Sequence, residues 1–313
     1  MSRFNYGGQA VMEGVMMRGE QEWAVSVRAP SGAIVQQREA LPASYRSRWL
    51  KLPFLRGLTS LADSLGIGMR ALMWSSDVAL GEDEDVHFTG PLAWGTVAVA
   101  LAFGVGLFFL LPMFLTSLTD RYVTSGFLSN LIEGAIRLTF FISYIALIGL
   151  MPDIRRVFAY HGAEHKTINA YEAGAALTPE AVGAYSRVHT RCGTGFMLLV
   201  MVIFVILSTF LGRPSLPLRL ISRIVLIPVV SGIAYEIIKF SARNYERSRL
   251  VRIIMAPGLA LQQLTTREPS ADMLEVAITS LKAVLAAEGL APVAESDPAG
   301  AAVPEAEMAL TEA

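Results

Sequence analysis

At 313 residues, with 53% hydrophobic and 17% charged residues and a mean hydropathy of +0.47, the chain is too apolar for an ordinary soluble domain. Its formal net charge of −1 gives no electrostatic reason to expect nucleic acid as a partner. A single cysteine excludes an intrachain disulfide and fits a thiol kept reduced on the cytoplasmic side.

Gly7 to Gly19 is punctuated by glycines without phosphate-loop spacing, so nucleotide binding is not expected, and the glycines are read as points of tight turning or close approach. Trp23–Arg28 and Ala33–Gln37 are short β-type runs around Pro30-Ser31-Gly32, which predicts a hairpin. From Phe54 to Leu80 apolar residues recur at threes and fours, while Arg56, Asp63, Arg70 and Asp77 fall every seven residues on one polar stripe. One long amphipathic helix is expected there, packed along the bundle or lying in the membrane interface. Glu82 to Asp85 reads as a solvated acidic turn.

Four membrane spans follow. Leu92 to Leu118 is a 27-residue run without a charge, long enough to cross a bilayer with some tilt. Leu138–Met151 becomes a span when the turn from Asn130 through Glu133 and Arg137 is added; Gly193–Gly212 is a third, and Ile224–Ile238 a fourth, entered from Leu216 past Arg219 and Arg223. The second and fourth carry ionisable residues that a lipid-facing helix would resist. Glu236 in the fourth is read as pairing with Lys239 at the membrane boundary. Beyond it, Lys239–Arg252 is basic and expected at the headgroups, Pro257-Gly258 is expected to break the chain, and Ser270 caps a last amphipathic helix ended by Gly289. The remainder, rich in Ala, Pro and acid, reads as a disordered tail. The expected organisation is an N-terminal segment at 1–88, a membrane domain at 89–240 with a central polar segment at 153–192, C-terminal helices at 241–289 and the tail at 290–313. The fold class is mainly α: a polytopic helical membrane protein with a small N-terminal β-hairpin.

No basic region leads into a short apolar core at the N-terminus, so no secretory signal is expected. An even number of spans puts both termini and the central segment on one side. That segment holds five Lys or Arg, as does the stretch after the last span, whereas Thr119–Asn130 holds Arg121 alone, although the short outer turn near Arg213 holds three if Arg219 and Arg223 are counted. The positive-inside rule then assigns these parts to the cytoplasm and the protein to the inner membrane.

Chemistry concentrates in the central segment, where three of the four histidines and the cysteine lie. On a helix, His161 and His165 stand one turn apart, about 6 Å between β-carbons, which suits two imidazoles on one metal ion. With Glu164 they form His-x-x-Glu-His, the order of the inverted zincins, in which the Glu polarises the attacking water. Glu172 shares their stripe but lies about 10 Å along the axis from His165, too far to be a further ligand on one straight helix. His189 and Cys192, read at helical spacing, complete a set of three nitrogens and one sulfur that zinc accepts. Four protein ligands would make a closed structural site; three and a water would make a catalytic one. Cys192, beside Arg191 and at a helix start, is alternatively a thiolate nucleophile.

Gly7-Gly-Gln-Ala-Val-Met-Glu-Gly-Val-Met-Met-Arg-Gly19, Tyr160-His-Gly-Ala-Glu-His165, His189-Thr-Arg-Cys-Gly-Thr194, Tyr235-Glu236 and Pro257-Gly-Leu-Ala-Leu-Gln-Gln-Leu-Thr-Thr-Arg-Glu-Pro269 together resemble the YqhQ-like family of bacterial membrane proteins, from Gly7 to about Leu285. The resemblance implies a polytopic membrane protein and, through the same histidines, a metal-dependent enzyme; it names no substrate.

The expected function is therefore a metal-dependent hydrolase of a peptide, lipid or envelope precursor. Divalent metal, zinc by its donor types, is held at His161, His165, His189 and Cys192, and Glu164 is the general base. The competing reading is a membrane scaffold or assembly factor whose cytoplasmic face docks a protein, with a structural metal or none. The lipid bilayer is the expected partner in both.

Overall fold

The computed structural model describes residues 4–42, 52–81, 90–119, 122–212 and 216–290. The acidic run at 82–85 and the tail after Leu290 lie outside them.

The hairpin is present as β3 (Glu22–Arg28) and β4 (Ile34–Ala40), turned where Gly32 takes a φ of +85° that a side chain would resist. It belongs to a larger sheet. The glycine-punctuated segment forms β1 (Gly7–Val11) and β2 (Gly14–Arg18), giving an antiparallel meander β1-β2-β3-β4. Of the two uses of glycine, close approach is the one realised in these strands: a β-carbon at Gly8 would stand 2.5 Å from the Met16 carbonyl oxygen, and one at Gly14 would strike that of Ser26.

Both faces of the central strands are covered, and the side chains divide by strand alternation. Val15, Met17 and Ala24 join a core with helices α5 (Pro152–Ala173) and α10 (Ala271–Ala287). Met16, Trp23, Val25 and Val27 pack on Ile67 and Ala71 of α1 (Leu55–Leu80). The head is thus a sheet held between α1 and the α5–α10 pair.

The four expected spans correspond, among the described residues, to four helical stretches long and apolar enough to cross a membrane: Trp94–Thr119, Gly126–Ile148, Gly193–Phe210 and Ile221–Asn244. The first is α2 (Gly90–Val105) running through a π turn at Gly106–Leu110 into α3 (Leu111–Thr119). The second is α4 (Gly126–Ile148). After α5 and the short α6 (Pro179–Gly183), the third is α7 (Gly193–Phe210) and the fourth lies in α8 (Leu216–Asn244). Proline explains the π turn. Pro112 cannot donate to the carbonyl four residues earlier, that of Phe108, and its ring crowds that oxygen. Arg137 of α4 donates from Nε to the freed Phe108 oxygen at 2.8 Å and from Nη2 to Glu133 at 2.7 Å. The ionisable residues of the second span therefore face the bundle interior and hold two helices together.

The structure departs from the sequence expectations at two places on α8 and α9 (Arg249–Thr265). Pro257-Gly258 does not break α9, which runs through both residues. Gly258 lies against the backbone of Gly195 on α7, so helix packing stabilises a segment that its local preferences oppose. Glu236 takes Arg56 of α1, not Lys239, as its ion-pair partner; Lys239 sits over the Tyr235 ring with 6.0 Å from Nζ to the centroid.

Candidate metal centre

Three elements meet at the candidate site: α5, the loop that ends at Cys192, and the end of α9. Helix α5 starts with Pro152 in its first turn, where no backbone donor is lost, and ends at Gly174 in the left-handed conformation. Between them His161, Glu164 and His165 fall on adjoining faces, as their spacing requires. Gly162 lets α5 approach the chain after α9: a β-carbon there would collide with the Arg267 carbonyl oxygen, and Arg267 donates its N–H to Phe158 at 2.8 Å.

The loop has little regular structure and is held by side-chain amides. Asn169 donates to the Ser186 and Val188 carbonyls at 2.8 and 3.0 Å. Gln262, buried on α9, accepts from the His189 N–H and donates to the His189 carbonyl, both at 2.9 Å. The loop then closes with a turn in which Cys192 N–H reaches the His189 carbonyl at 3.3 Å, and Cys192 becomes the N-cap residue of α7.

This brings His161, His165 and Cys192 together, their ligand atoms all within 4.8 Å of one another. His161 Nε2 and Cys192 Sγ are 3.4 Å apart, close to the roughly 3.6 Å that a tetrahedral zinc site with ordinary bond lengths requires between nitrogen and sulfur donors. Each imidazole is oriented by a backbone carbonyl at Nδ1: Thr265 at 2.8 Å for His161 and Arg187 at 2.6 Å for His165. A carbonyl can only accept, so both rings carry a proton on Nδ1, and Nε2 is the nitrogen that offers a lone pair to a ligand once it has lost its own proton. Two imidazole nitrogens and a thiolate fit zinc in donor type and spacing.

His189 takes a different position. Its ring centroid is 5.7 Å from that of His165, and its Nε2 lies 3.8 Å from Glu172 Oε2, with no hydrogen-bond partner in the described structure. It stands outside the three-residue group: His189 and Cys192 are the ends of a turn, not neighbours on a helix. Glu172 instead holds Arg191 in an ion pair beside a cleft of about 240 Å³ lined also by Phe4, Asn5 and Tyr171. Glu164 adjoins the ligands, with Oε2 at 3.5 Å from His165 Nε2, and it is buried. Gly8 of β1 makes room for it, since a β-carbon there would come within 2.9 Å of Glu164 Cγ.

The electrostatics favour the metal-binding form of the thiol. Burial resists charge on both partners, yet Cys192 and Glu164 carry His165 up to about 9, and His165 and His161 hold the Cys192 thiol well below its ordinary 9. Burial keeps His189 below its usual value. Glu172 resists its own burial through His189 and Arg191, which bring its carboxyl down to about 2.

Sequence reading missed Asn169, Gln262, Thr265 and Thr194, whose hydroxyl is 3.1 Å from Cys192 Sγ. Gln262 and Thr265 lie within the Pro257–Pro269 motif, so the segment was visible and its contact with the histidines was not.

A sheet-capped bundle of apolar helices, with two histidines and a cysteine gathered where span α7 begins, defines a polytopic α-helical membrane protein with a candidate metal centre. The chain belongs to the family described as a protein of unknown function, DUF1385, which it matches over residues 52–287. It is 35% identical over 301 residues to a Bacillus subtilis (strain 168) protein described as "Uncharacterized protein YqhQ", covering 91% of this chain and 93% of that one. No solved structure matches it.

Proposed function

We propose that the chain is a metal-dependent hydrolase of the inner membrane, with zinc held by His161, His165 and Cys192 and the site facing the cytoplasm. The observation that carries this reading is the convergence of three ligand atoms within 4.8 Å, with both imidazoles oriented through Nδ1. Three protein donors leave a coordination position open, which is the arrangement of catalytic centres. When bound, zinc in such a set polarises a carbonyl or phosphoryl oxygen and acidifies a water molecule.

The chain's own residues supply the rest. Glu164, buried and adjacent to the donors, is the general base: it takes a proton from water on attack and returns it to the leaving group. Thr265 and Arg187 fix the imidazole tautomers through their carbonyls. Gln262 and Asn169 hold the loop so that Cys192 stays in register with α5. The Lys and Arg counts on either side of the spans support the cytoplasmic orientation.

A second reading, a scaffold with a closed structural metal site, is favoured by one observation: the buried Nε2 of His189, on a ring 5.7 Å from that of His165, has no hydrogen-bond partner among the described residues. Glu164→Gln separates the two. As a hydrolase, the variant retains metal and loses about 10²- to 10⁴-fold in activity, read as failure to complement a strain deleted for the gene. Full complementation by a variant that keeps its metal contradicts the hydrolase and supports the scaffold.

A further inference from the structure

The start of α1 presents an apolar stripe that no part of the described structure covers. Leu55, Leu58, Ala62 and Leu65, spaced three, four and three residues apart, share one side of the helix and are all exposed, Leu65 at 62%. Leu52 and Phe54, just before the helix, are exposed as well. In water such a surface would be costly, at roughly 25 cal/mol for each Å² of apolar area.

The opposite side of these turns is pressed on α8, whose Ile221–Asn244 stretch is one of the four span-forming helices. A β-carbon at Gly57 would meet Tyr235 Cβ at 2.8 Å and Gly232 Cα at 3.2 Å, and one at Gly232 would meet Phe54 Cδ1 at 3.1 Å. Phe54 therefore packs seven residues, about 10 Å of helix, before Lys239, where the basic end of α8 begins. Because Phe54 meets Gly232 and Gly57 meets Tyr235, the two helices run in the same direction. Leu55 to Leu65 covers about 15 Å, so the stripe ends near the level at which α8 ends. Beyond it the helix changes environment: Ile67 and Ala71 pack beneath the sheet, and Arg70 pairs with Glu39 at 2.8 Å.

The polar groups at the deep end are satisfied within the protein. Glu236 accepts from Arg56 Nε at 2.6 Å, from Arg56 Nη2 and from the Phe54 N–H at 3.4 Å. It thus serves the α1 start, where Phe54 sits in a strained backbone conformation with φ of +67° and offers no side-chain cap. A carboxylate with three donors and a paired guanidinium is what a low-dielectric setting demands.

We infer that the first two turns of α1, Leu55 to Ala62, lie in the hydrocarbon of the leaflet on the sheet's side, with lipid acyl chains covering the exposed stripe and Leu65 reaching the headgroups. Helix α1 is then a half-inserted element, clamped to α8 through Arg56 and Glu236, that ties the sheet over Glu164 to the bilayer. The placement follows from the contact with the span: α1 packs on α8, a helix that itself exposes Ile224 and Val225.

The test uses full-length protein in phosphatidylcholine–phosphatidylglycerol vesicles, with Cys192→Ser throughout and a single environment-sensitive fluorophore at Leu55→Cys or Leu58→Cys. Val99→Cys, on the exposed face of α2, is the membrane control, and Val35→Cys, on β4, the aqueous one. The expected result is that acyl-brominated lipids quench both α1 labels at least half as strongly as the Val99 label, while aqueous iodide leaves them nearly unaffected. Iodide quenching equal to that at Val35, without quenching by brominated lipid, overturns the inference. So does energy transfer between labels on two chains in the absence of lipid quenching, which assigns the stripe to a second copy. Both leucines are exposed, at 46% and 37%, so both variants should keep the thermal midpoint of their Cys192→Ser parent to within a few degrees.

Discussion

At the scale of single residues, the candidate site depends on side chains that never touch the ligand position. Gln262 is the clearest case: it satisfies both backbone groups of His189, and it is buried. Gln262→Ala leaves the His189 N–H unpaired inside the protein and its carbonyl with the longer Cys192 bond alone, which should cost about 1–3 kcal/mol, seen as a lower unfolding temperature in detergent. Because the loop carries Cys192, zinc affinity should also fall about 10- to 100-fold, checked by competition with a chromogenic chelator. Glu172 makes a prediction in pH. Its folded value near 2 lies below the ordinary 4.5, so its contribution is present in full above pH 4.5 and is lost as pH falls from there to 2. A series of melting temperatures over that window should show an acid limb that flattens in Glu172→Gln. The residues found from sequence were those whose geometry is local: His161 and His165 needed only the helical repeat. His189 was drawn into the ligand set because the reading assumed a helix where the chain forms a turn, and Gln262 was missed because its contact spans 73 residues.

At the scale of elements, α4 and the first span are joined by a mechanism that sequence patterns only half reveal. Pro112 was visible in the first apolar run, and Arg137 was visible as an awkward charge in the second. One relieves the other through a contact between two helices that neither run shows by itself: Arg137 bonds the Phe108 carbonyl that Pro112 leaves without a donor. Arg137→Ala removes this bond and takes the 2.7 Å partner from the buried carboxylate of Glu133, leaving it the more distant Arg223 at 3.9 Å, and should cost about 3 kcal/mol, measured as loss of thermal stability in detergent. An Arg137→Ala protein as stable as the wild type would contradict this account of the π turn. The sheet shows the same limit of local reading. β3 and β4 followed from alternation and a Pro-Ser-Gly turn. β1 and β2 were hidden because Gly8 and Gly14 look like coil, whereas tertiary contact demands glycine there.

At the scale of the whole molecule, the span count and the mainly helical class were legible from hydropathy alone, since lipid imposes long uncharged runs. The layered head was not, because α10 and α5 read as amphipathic or polar and give no sign that they bury one face of a sheet. The assembled protein places a histidine–cysteine cluster where α5, α7 and α9 meet, at the start of a span and under a sheet whose other face rests on α1. The central claim is that this cluster is a metal centre. Elemental analysis of detergent-purified wild type beside His161→Ala/His165→Ala, at matched purity and folding, tests it most directly. The account predicts about one equivalent of zinc or another divalent ion per chain in the wild type, lost in the double variant. Absence of metal from both proteins, even after reconstitution with zinc, would contradict it.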